Sequence, residues 1–414
     1  MTQKPGVPEP PVEDDPRLST KTLLGIGLAT RLVTDTAAQL FYTFLPILSA
    51  GIGISAVQMG RLLSLRSLVG LTSPLFGILA ERRGYRRVMQ FALAIGAAGL
   101  LLIASSNGVL QTAAGMLLMG IGLFAFGPNF QAYLSAQLPY HRRARGLGIL
   151  EYSWALAGII GLFLVGQLIE IAGWRLPLFL LAGLLMVAAV GFGGLPRTHK
   201  VHTPRSRISL RALSWHRFNL GDLGSDWTST QVCLYVAALL MFAALHLMTT
   251  YGKWLFTEYG LGPGELGQVG LLLGVADLGA SGIISVFGDR LGARRSVLWA
   301  AFGAVLFHLA LPFLNQGLLL SLVGLVIARF CFEFAVVSHL VLVSEQAPLR
   351  RAKVMTLGAA FALAGSTVAN LTGPQAYESF GVMGLALPSA VAYGLAVLLV
   401  WRFVHEANGL EIQS

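Results

Sequence analysis

Arg31 and Asp35 stand four residues apart in an otherwise apolar run, and Arg329 and Glu333 repeat that spacing in a later one. On a helix this spacing puts both side chains on one face. Asp277, His246 and Arg66 are further ionisable residues deep inside apolar runs. If such a run lies in lipid, each charge costs about 2.5–3.5 kcal/mol on insertion scales, so it faces a cavity or a partner. Asp35 then has two readings: a carboxylate that exchanges a proton with Arg31 lowering its affinity, or a static ion pair that only neutralises charge. The same two readings apply to Arg329 and Glu333, with Arg329 also suited to an anionic group. Asp277 has no charged neighbour in its own helix, which makes it a proton-coupling candidate. His246 either titrates near neutral pH or is a hydrogen-bonded packing residue. Arg66 lies deeper than Arg61, whose long stem can snorkel. Glu151 is placed to partner Arg31 across helices.

These residues sit in a chain of 414 residues that is 55% hydrophobic and 12% charged, with 49 glycines. Soluble domains carry about a quarter of their residues as charged side chains. The composition therefore predicts a lipid-embedded helical bundle in which small residues let helices approach. Runs long enough to span a bilayer fall near 22–49, 56–80, 87–106, 109–138, 146–171 and 176–195. They resume near 231–257, 265–288, 296–314, 317–346, 353–376 and 381–404. The fold class expected is an all-α polytopic membrane protein of twelve helices in two six-helix halves, 21–195 and 231–404. A proline-rich acidic tail (1–20), a basic linker (196–230) and a short tail (405–414) flank them. The net charge of +10 does not indicate nucleic acid, because the arginines occupy short loops and no nucleic-acid motif accompanies them. Arg82, Arg83, Arg86, Arg87, Arg142, Arg143, Arg145, Arg290, Arg294, Arg295, Arg350, Arg351 and Lys353 all fall on one side of the alternating loops. The positive-inside rule makes that side, and both termini, cytoplasmic. Arg175 is the main exception. Cys233 and Cys331 read as buried apolar residues, and neither metal nor cofactor is expected.

The sequence also repeats. Glu81-Arg82-Arg83-Gly84-Tyr85-Arg86-Arg87 matches Asp289-Arg290-Leu291-Gly292-Ala293-Arg294-Arg295 with an offset of 289 − 81 = 208 positions. Arg142-Arg143-Ala144-Arg145 matches Arg350-Arg351-Ala352-Lys353 with the same offset, so the halves are read as an internal duplication. The loop Gly77-Ile78-Leu79-Ala80-Glu81-Arg82-Arg83-Gly84-Tyr85-Arg86-Arg87 resembles the signature between helices 2 and 3 of the major facilitator superfamily. From Phe44-Leu45-Pro46 through Gln58-Met59-Gly60 to Arg87 the chain is similar to the drug:proton antiporter and sugar-efflux branches. Gly173-Trp174-Arg175-Leu176-Pro177 resembles the turn before helix 6. The resemblance implies that Gly77, Glu81, Arg82, Gly84, Arg86 and Arg87, with Asp289, Arg290 and Gly292 in the second half, form a conformational latch between the halves. Two positions depart from the branch pattern. Met116 stands where helix 4 carries an arginine ahead of Gly120, and helix 5 reads Ala157-Gly158-Ile159-Ile160-Gly161-Leu162 without the antiporter proline.

In that family helices 1, 4, 7 and 10 line a central cavity, which would place Arg31, Asp35, Arg329 and Glu333 at substrate. Phe124, Phe126, Phe130, Tyr133, Tyr251 and Trp254 read either as cavity wall or as helix packing. The expected function is secondary transport by alternating access, with protons as coupling ion and export of a small organic solute ahead of import or facilitation. A transporter-like receptor is the reading from another class. No phosphate-binding Gly-rich loop with Lys is present, and the loops lack the acidic or His/Cys clusters of an enzyme. The partners expected are a small-molecule solute, protons and the lipid bilayer of the cytoplasmic membrane, with the protein working as a monomer.

Overall fold

The computed structural model describes residues 19–138, 140–195, 227–346 and 351–405, with 20, 140–145, 147, 227, 289 and 352 described by backbone alone. Most of both expected tails, most of the linker, Arg350 and the side chain of Asp289 therefore lie outside the described residues. Among those residues the chain is helical throughout, with no strand. The first span is α1 (Thr20–Thr43) continued by α2 (Leu45–Ile52), and the second is α3 (Ala56–Gly70) continued by α4 (Ser73–Arg83). Pro46 and Pro74 sit in the first turns of α2 and α4. A proline there lacks only a donor that would be unpaired anyway, but it cannot continue the preceding helix, so both spans break at these points. The two spans meet at a 104° bend, where Gly53 ends α2 in the left-handed region and Ser55 opens α3 through a capping box with Gln58.

The first half continues through α5 (Tyr85–Ala104), α6 (Val109–Gln137), α7 (Tyr140–Leu156), a π-helical turn at Ala157–Leu162, α8 (Phe163–Ala172) and α9 (Arg175–Gly191). The second comprises α10 (Trp227–Met248), α11 (Tyr251–Tyr259), α12 (Pro263–Leu291), α13 (Ala293–Leu314), α14 (Leu318–Gln346) and α15 (Arg351–Phe403). The helix at Trp227 begins inside the stretch expected to be linker. Nine described helices are long and apolar enough to cross a membrane. α15 counts double: its 53 residues would run about 80 Å as one rod, far beyond a bilayer, and it folds back at Gly381 (φ 58°, ψ −144°). The first two spans fail the same test because they are broken and carry Arg31, Asp35, Arg61 and Arg66. Together these are twelve spans.

Among the described residues six glycines have positive φ, and they fall into three pairs: Gly53 with Gly260, Gly84 with Gly292, and Gly173 with Gly381. The separations are 207, 208 and 208 positions, so the turns obey the repeat that the basic loops suggested. Gly84 (φ 91°, ψ 137°) and Gly292 (φ 76°, ψ 137°) share one conformation that a side chain would strain. Just after them, Arg86 donates to the Leu195 carbonyl (3.2 Å) and Arg294 to the Trp401 carbonyl (2.8 Å). Each arginine ties the start of the third helix of its half to the end of the sixth. Arg175 has the same structural character on the opposite face: it stacks on Trp174 and donates to the Ala104 carbonyl (3.0 Å) and to Asn107 Oδ1 (2.7 Å).

Candidate functional site

The two halves meet along two seams. Along the first, α3 lies on α15: Ser64 Oγ donates to the Thr367 carbonyl (2.8 Å), and Asn370 Nδ2 donates to Ser67 Oγ (3.1 Å). Along the second, the α7–π–α8 span lies on α12 at backbone distance. A Cβ built on Gly158 would stand 2.9 Å from the Gly274 Cα, and one on Gly166 would stand 2.9 Å from the Gly267 Cα. Between the seams Thr43 and Tyr251, which are repeat mates 208 positions apart, share a 2.6 Å hydroxyl–hydroxyl bond. These three are the hydrogen bonds that cross between halves among the described residues. All lie toward the face with short uncharged loops. Toward the arginine-rich face Glu81, Arg82, Arg83, Arg87 and Arg290 are exposed, and Glu81 makes no ion pair among the described residues. A Cβ on Gly77 would meet open space. Among the described residues Glu81, the first-half carboxylate of the expected latch, thus makes no contact with the second half.

Under that closed end lies a small cavity of about 30 Å³, open to solvent on one side and walled by both halves. Gln39, Tyr42, Thr43, Trp154 and Leu162 come from the first half, and Met248, Tyr251, Asp277 and Arg329 from the second. Arg329 Nε and Nη2 donate to the two carboxylate oxygens of Asp277, both at 2.7 Å. Asp277 and Arg329 are 2% and 6% exposed. This fork geometry is the strongest pairing a guanidinium makes. It corrects two expectations. Asp277, alone in its own helix, is paired across helices, and Arg329 pairs with it rather than with Glu333. The bidentate partner offers two oxygens in the guanidinium plane, whereas Glu333 accepts from Ser281 Oγ instead (3.2 Å).

Asp35, Gln39, Tyr42 and Thr43 lie on one face of α1 by spacing. Asp35 accepts a 2.5 Å bond from Ser153 Oγ and sits 3.5 Å from Arg31 Nε. Arg31 Nη1 is also 3.6 Å from Glu151, which accepts from Gln131 (2.8 Å). Both of Arg31's expected partners are thus beside it, on the basic-face side of the cavity. Arg66 is buried and reaches α1 from α3. Its Nη1 donates to the Ala38 carbonyl (3.0 Å) and its Nη2 to the Tyr42 hydroxyl (2.8 Å), with the guanidinium 5.8 Å and 5.3 Å from the Phe41 and Tyr42 ring centres. No carboxylate pairs with it among the described residues. Its stem packs against Gly120, where a Cβ would stand 3.2 Å from Arg66 Cγ. The guanidinium missing from helix 4 is thereby supplied beside that helix by helix 2.

His246 is not brought to the cavity. Its Nδ1 bonds Thr372 Oγ1 (3.1 Å) and its Nε2 bonds the Gly384 carbonyl (3.0 Å), which ties α10 to both limbs of α15. Phe126, Phe130 and Phe192 stack together at 5.4–5.7 Å inside the first half, so those aromatics are packing, while Tyr251 does line the cavity. The sequence reading missed Gln39 and Tyr42, although the polar stripe from Arg31 through Asp35 continues to them at helical spacing. Ser153 and Ser281 carried no such signal.

A family model described as Major Facilitator Superfamily matches residues 28–276, more than half of the chain. The chain belongs to the major facilitator superfamily. A second model, Sugar (and other) transporter, matches residues 210–414. Among similar proteins is the multidrug resistance protein MdtG of Escherichia fergusonii, 21% identical over 97% of this chain and 99% of that one. Another is the multi-drug resistance efflux pump PmrA of Streptococcus pneumoniae, 22% identical over 70% of this chain and 73% of that one. Two solved structures share the fold. One is the inward-open xylose transporter XylE from E. coli, with a TM-score of 0.75 at 15% identity, covering 95% of this chain and 98% of that one. The other is the human organic anion transporter MFSD10, with a TM-score of 0.70 at 18% identity, covering 95% and 100%. This major facilitator is a multi-pass membrane transporter, and the twelve-helix, two-half architecture is that of its superfamily.

Proposed function

We propose that this transporter exports small amphipathic solutes in exchange for protons, with its arginine-rich face and both termini in the cytoplasm. The observation that carries the proposal is the Asp277–Arg329 fork in the wall of a cavity that both halves share. A carboxylate so placed is the group whose protonation changes most when the cavity changes sides. When Asp277 is charged, Arg329 is held by it; when Asp277 takes a proton, the charge that holds the guanidinium disappears and Arg329 is released. Asp35, Glu151 and Glu333 line the path on the basic-face side and relay the proton, with Arg31 held between the first two as a fixed positive charge. The positive-inside pattern supports the orientation, and closure at the short-loop end supports a cytoplasm-open state. The named activity of MdtG and PmrA favours export over uptake.

The test follows internal pH in proteoliposomes while amphipathic cations, neutral sugars and carboxylates are added in turn. Asp277→Asn, Asp35→Asn and Glu333→Gln run beside the parent. Removing one partner of a buried pair costs about 3–5 kcal/mol, so Asp277→Asn with Arg329→Gln serves as a folded control. Substrate-evoked proton movement is expected in the parent and to fall at least about tenfold in Asp277→Asn. Proton movement retained in Asp277→Asn but lost in Asp35→Asn or Glu333→Gln would move the carrier to that residue. Solute flux without protons would make the protein a facilitator.

A further inference from the structure

Hydrogen-bond accounting around the cavity gives it a sign. Tyr42 accepts from Arg66, so the proton of its own hydroxyl is unspent among the described residues. A phenol that accepts from a guanidinium becomes a stronger donor, because the neighbouring charge draws electron density from its oxygen. The Thr43–Tyr251 bond uses one of two hydroxyl protons, whichever group donates, and leaves the other. Arg329 spends Nε and one Nη2 proton on Asp277 and keeps Nη1 free. Against these donors stand Gln39 Oε1, whose amide nitrogen is already given to the Trp154 carbonyl (2.9 Å), and a carboxylate with both oxygens engaged. The charges agree with the donors. In the cavity wall Arg329 is matched by Asp277, and behind Tyr42 stands a second guanidinium, Arg66, with no carboxylate partner among the described residues. The carboxylates Asp35, Glu151 and Glu333 all lie on the basic-face side.

We infer that the closed end of this cavity, built by Tyr42 backed by Arg66 and by Arg329, is a subsite for the anionic head of an aromatic or amphipathic acid such as a carboxylate or sulfonate. Deepening the transport reading, this assigns the solute's charge and its orientation. The head lies against α1 and α14, and the apolar body lies along Trp154, Leu162 and Met248. Arg66 cannot drift away to neutralise itself elsewhere, because the Ala38 carbonyl, two aromatic faces and the tight Gly120 contact hold it in place.

The experiment uses purified full-length protein in proteoliposomes and three probes of similar body: naphthalene-2-sulfonate, N-methylquinolinium and neutral 2-naphthamide. Saturable flux of naphthalene-2-sulfonate is expected to exceed that of N-methylquinolinium by about tenfold, the worth of one charge-assisted hydrogen bond. Arg66→Gln should abolish that preference, Arg66→Lys should keep most of it, and Tyr42→Phe should weaken it. A ratio between probes is insensitive to how much protein folds, which separates the inference from simple destabilisation. Preference for N-methylquinolinium or for 2-naphthamide, or a sulfonate preference that survives Arg66→Gln, overturns the inference and leaves transport standing. If none of the three crosses with protein that is folded by thermal melt, the transport reading fails together with it.

Discussion

The two seams that close the short-loop end are copies of one another, yet they are built from different chemistry. Gly60 of α3 lies where a Cβ would stand 2.6 Å from the Asn370 carbonyl and 2.7 Å from Pro374 Cγ. Subtracting the 208-residue repeat from those partners gives Leu162 and Gly166, and a Cβ on Gly267 would stand 3.0 Å from the Leu162 carbonyl and 3.2 Å from the Gly166 Cα. The duplicated backbones therefore cross in the same way. On the α3–α15 side the crossing is stitched by Ser64, Ser67 and Asn370. On the α8–α12 side it is held by glycine against glycine, with no side-chain hydrogen bond among the described residues. Hydrogen bonds can be handed over to water when a seam opens, at a net difference of only about 0.5–1.5 kcal/mol each. Close backbone packing has no such substitute, since its contacts simply vanish when the surfaces part. Both seams share the close crossing, but the α3–α15 seam adds bonds that water can replace, whereas the glycine seam has only its packing to set how tightly the end shuts.

The largest effect should come from breaking the shape of the glycine seam. The π turn at Ala157–Leu162 holds one residue more than an α-helix would. π turns mark functional positions, and this one stands where the antiporter branch carries its proline. Inserting one alanine after Phe163, where the span is α-helical again, would rotate everything after it by about 100°. Gly166 would then turn away from Gly267. Transport should fall below detection, and spin labels at Leu110 and Leu319, both exposed on the short-loop face, should report a wider separation. An insertion variant that transports normally would remove the glycine seam from the mechanism.

A smaller effect follows from keeping the register and adding bulk. Gly166→Val puts a branched side chain where even a Cβ has 2.9 Å to the opposing Cα and 2.6 Å to the Pro263 carbonyl. Overpacking of this kind costs about 1–3 kcal/mol. The closed short-loop end should lose population by about tenfold or more, read as a shift of the same label distance toward the open form. Gly77→Val, whose Cβ meets only open space in this conformation, should leave that distance unchanged.

Much of this architecture could be read before any coordinates. Apolar runs gave the spans because lipid demands length, and alternating arginines gave the two faces. The repeat in two basic loops anticipated the paired positive-φ glycines, since a duplicated turn needs its glycine twice. The Arg31 cluster was legible because Asp35 is one helical turn away and Glu151 is the carboxylate at matching depth. The Asp277–Arg329 fork was not legible: its members are 52 positions apart on different helices, and Glu333 offered a local partner that spacing alone favours. Neither was the placement of Arg66, because its contacts to Ala38, Tyr42 and Gly120 depend on how three helices cross. Spacing within a helix predicts neighbours along it; the choice among neighbours is made by packing.

The mildest change tests the polar seam by itself. Ser64 Oγ gives one hydrogen bond to the Thr367 carbonyl, an acceptor whose second lone pair remains available for the helix of α15. Ser64→Ala therefore leaves no buried group stranded and removes only the net worth of one bond, about 0.5–1 kcal/mol. The closed population should drop by about two- to fivefold, visible as a modest rise in the wide-distance fraction of the Leu110–Leu319 labels, with transport retained. Opening would then also be faster, because a bond present only in the closed form slows its escape. If Ser64→Ala instead matched Gly166→Val in size, the hydrogen-bonded seam would be the one that sets closure, and the contrast between the two would have to be reversed.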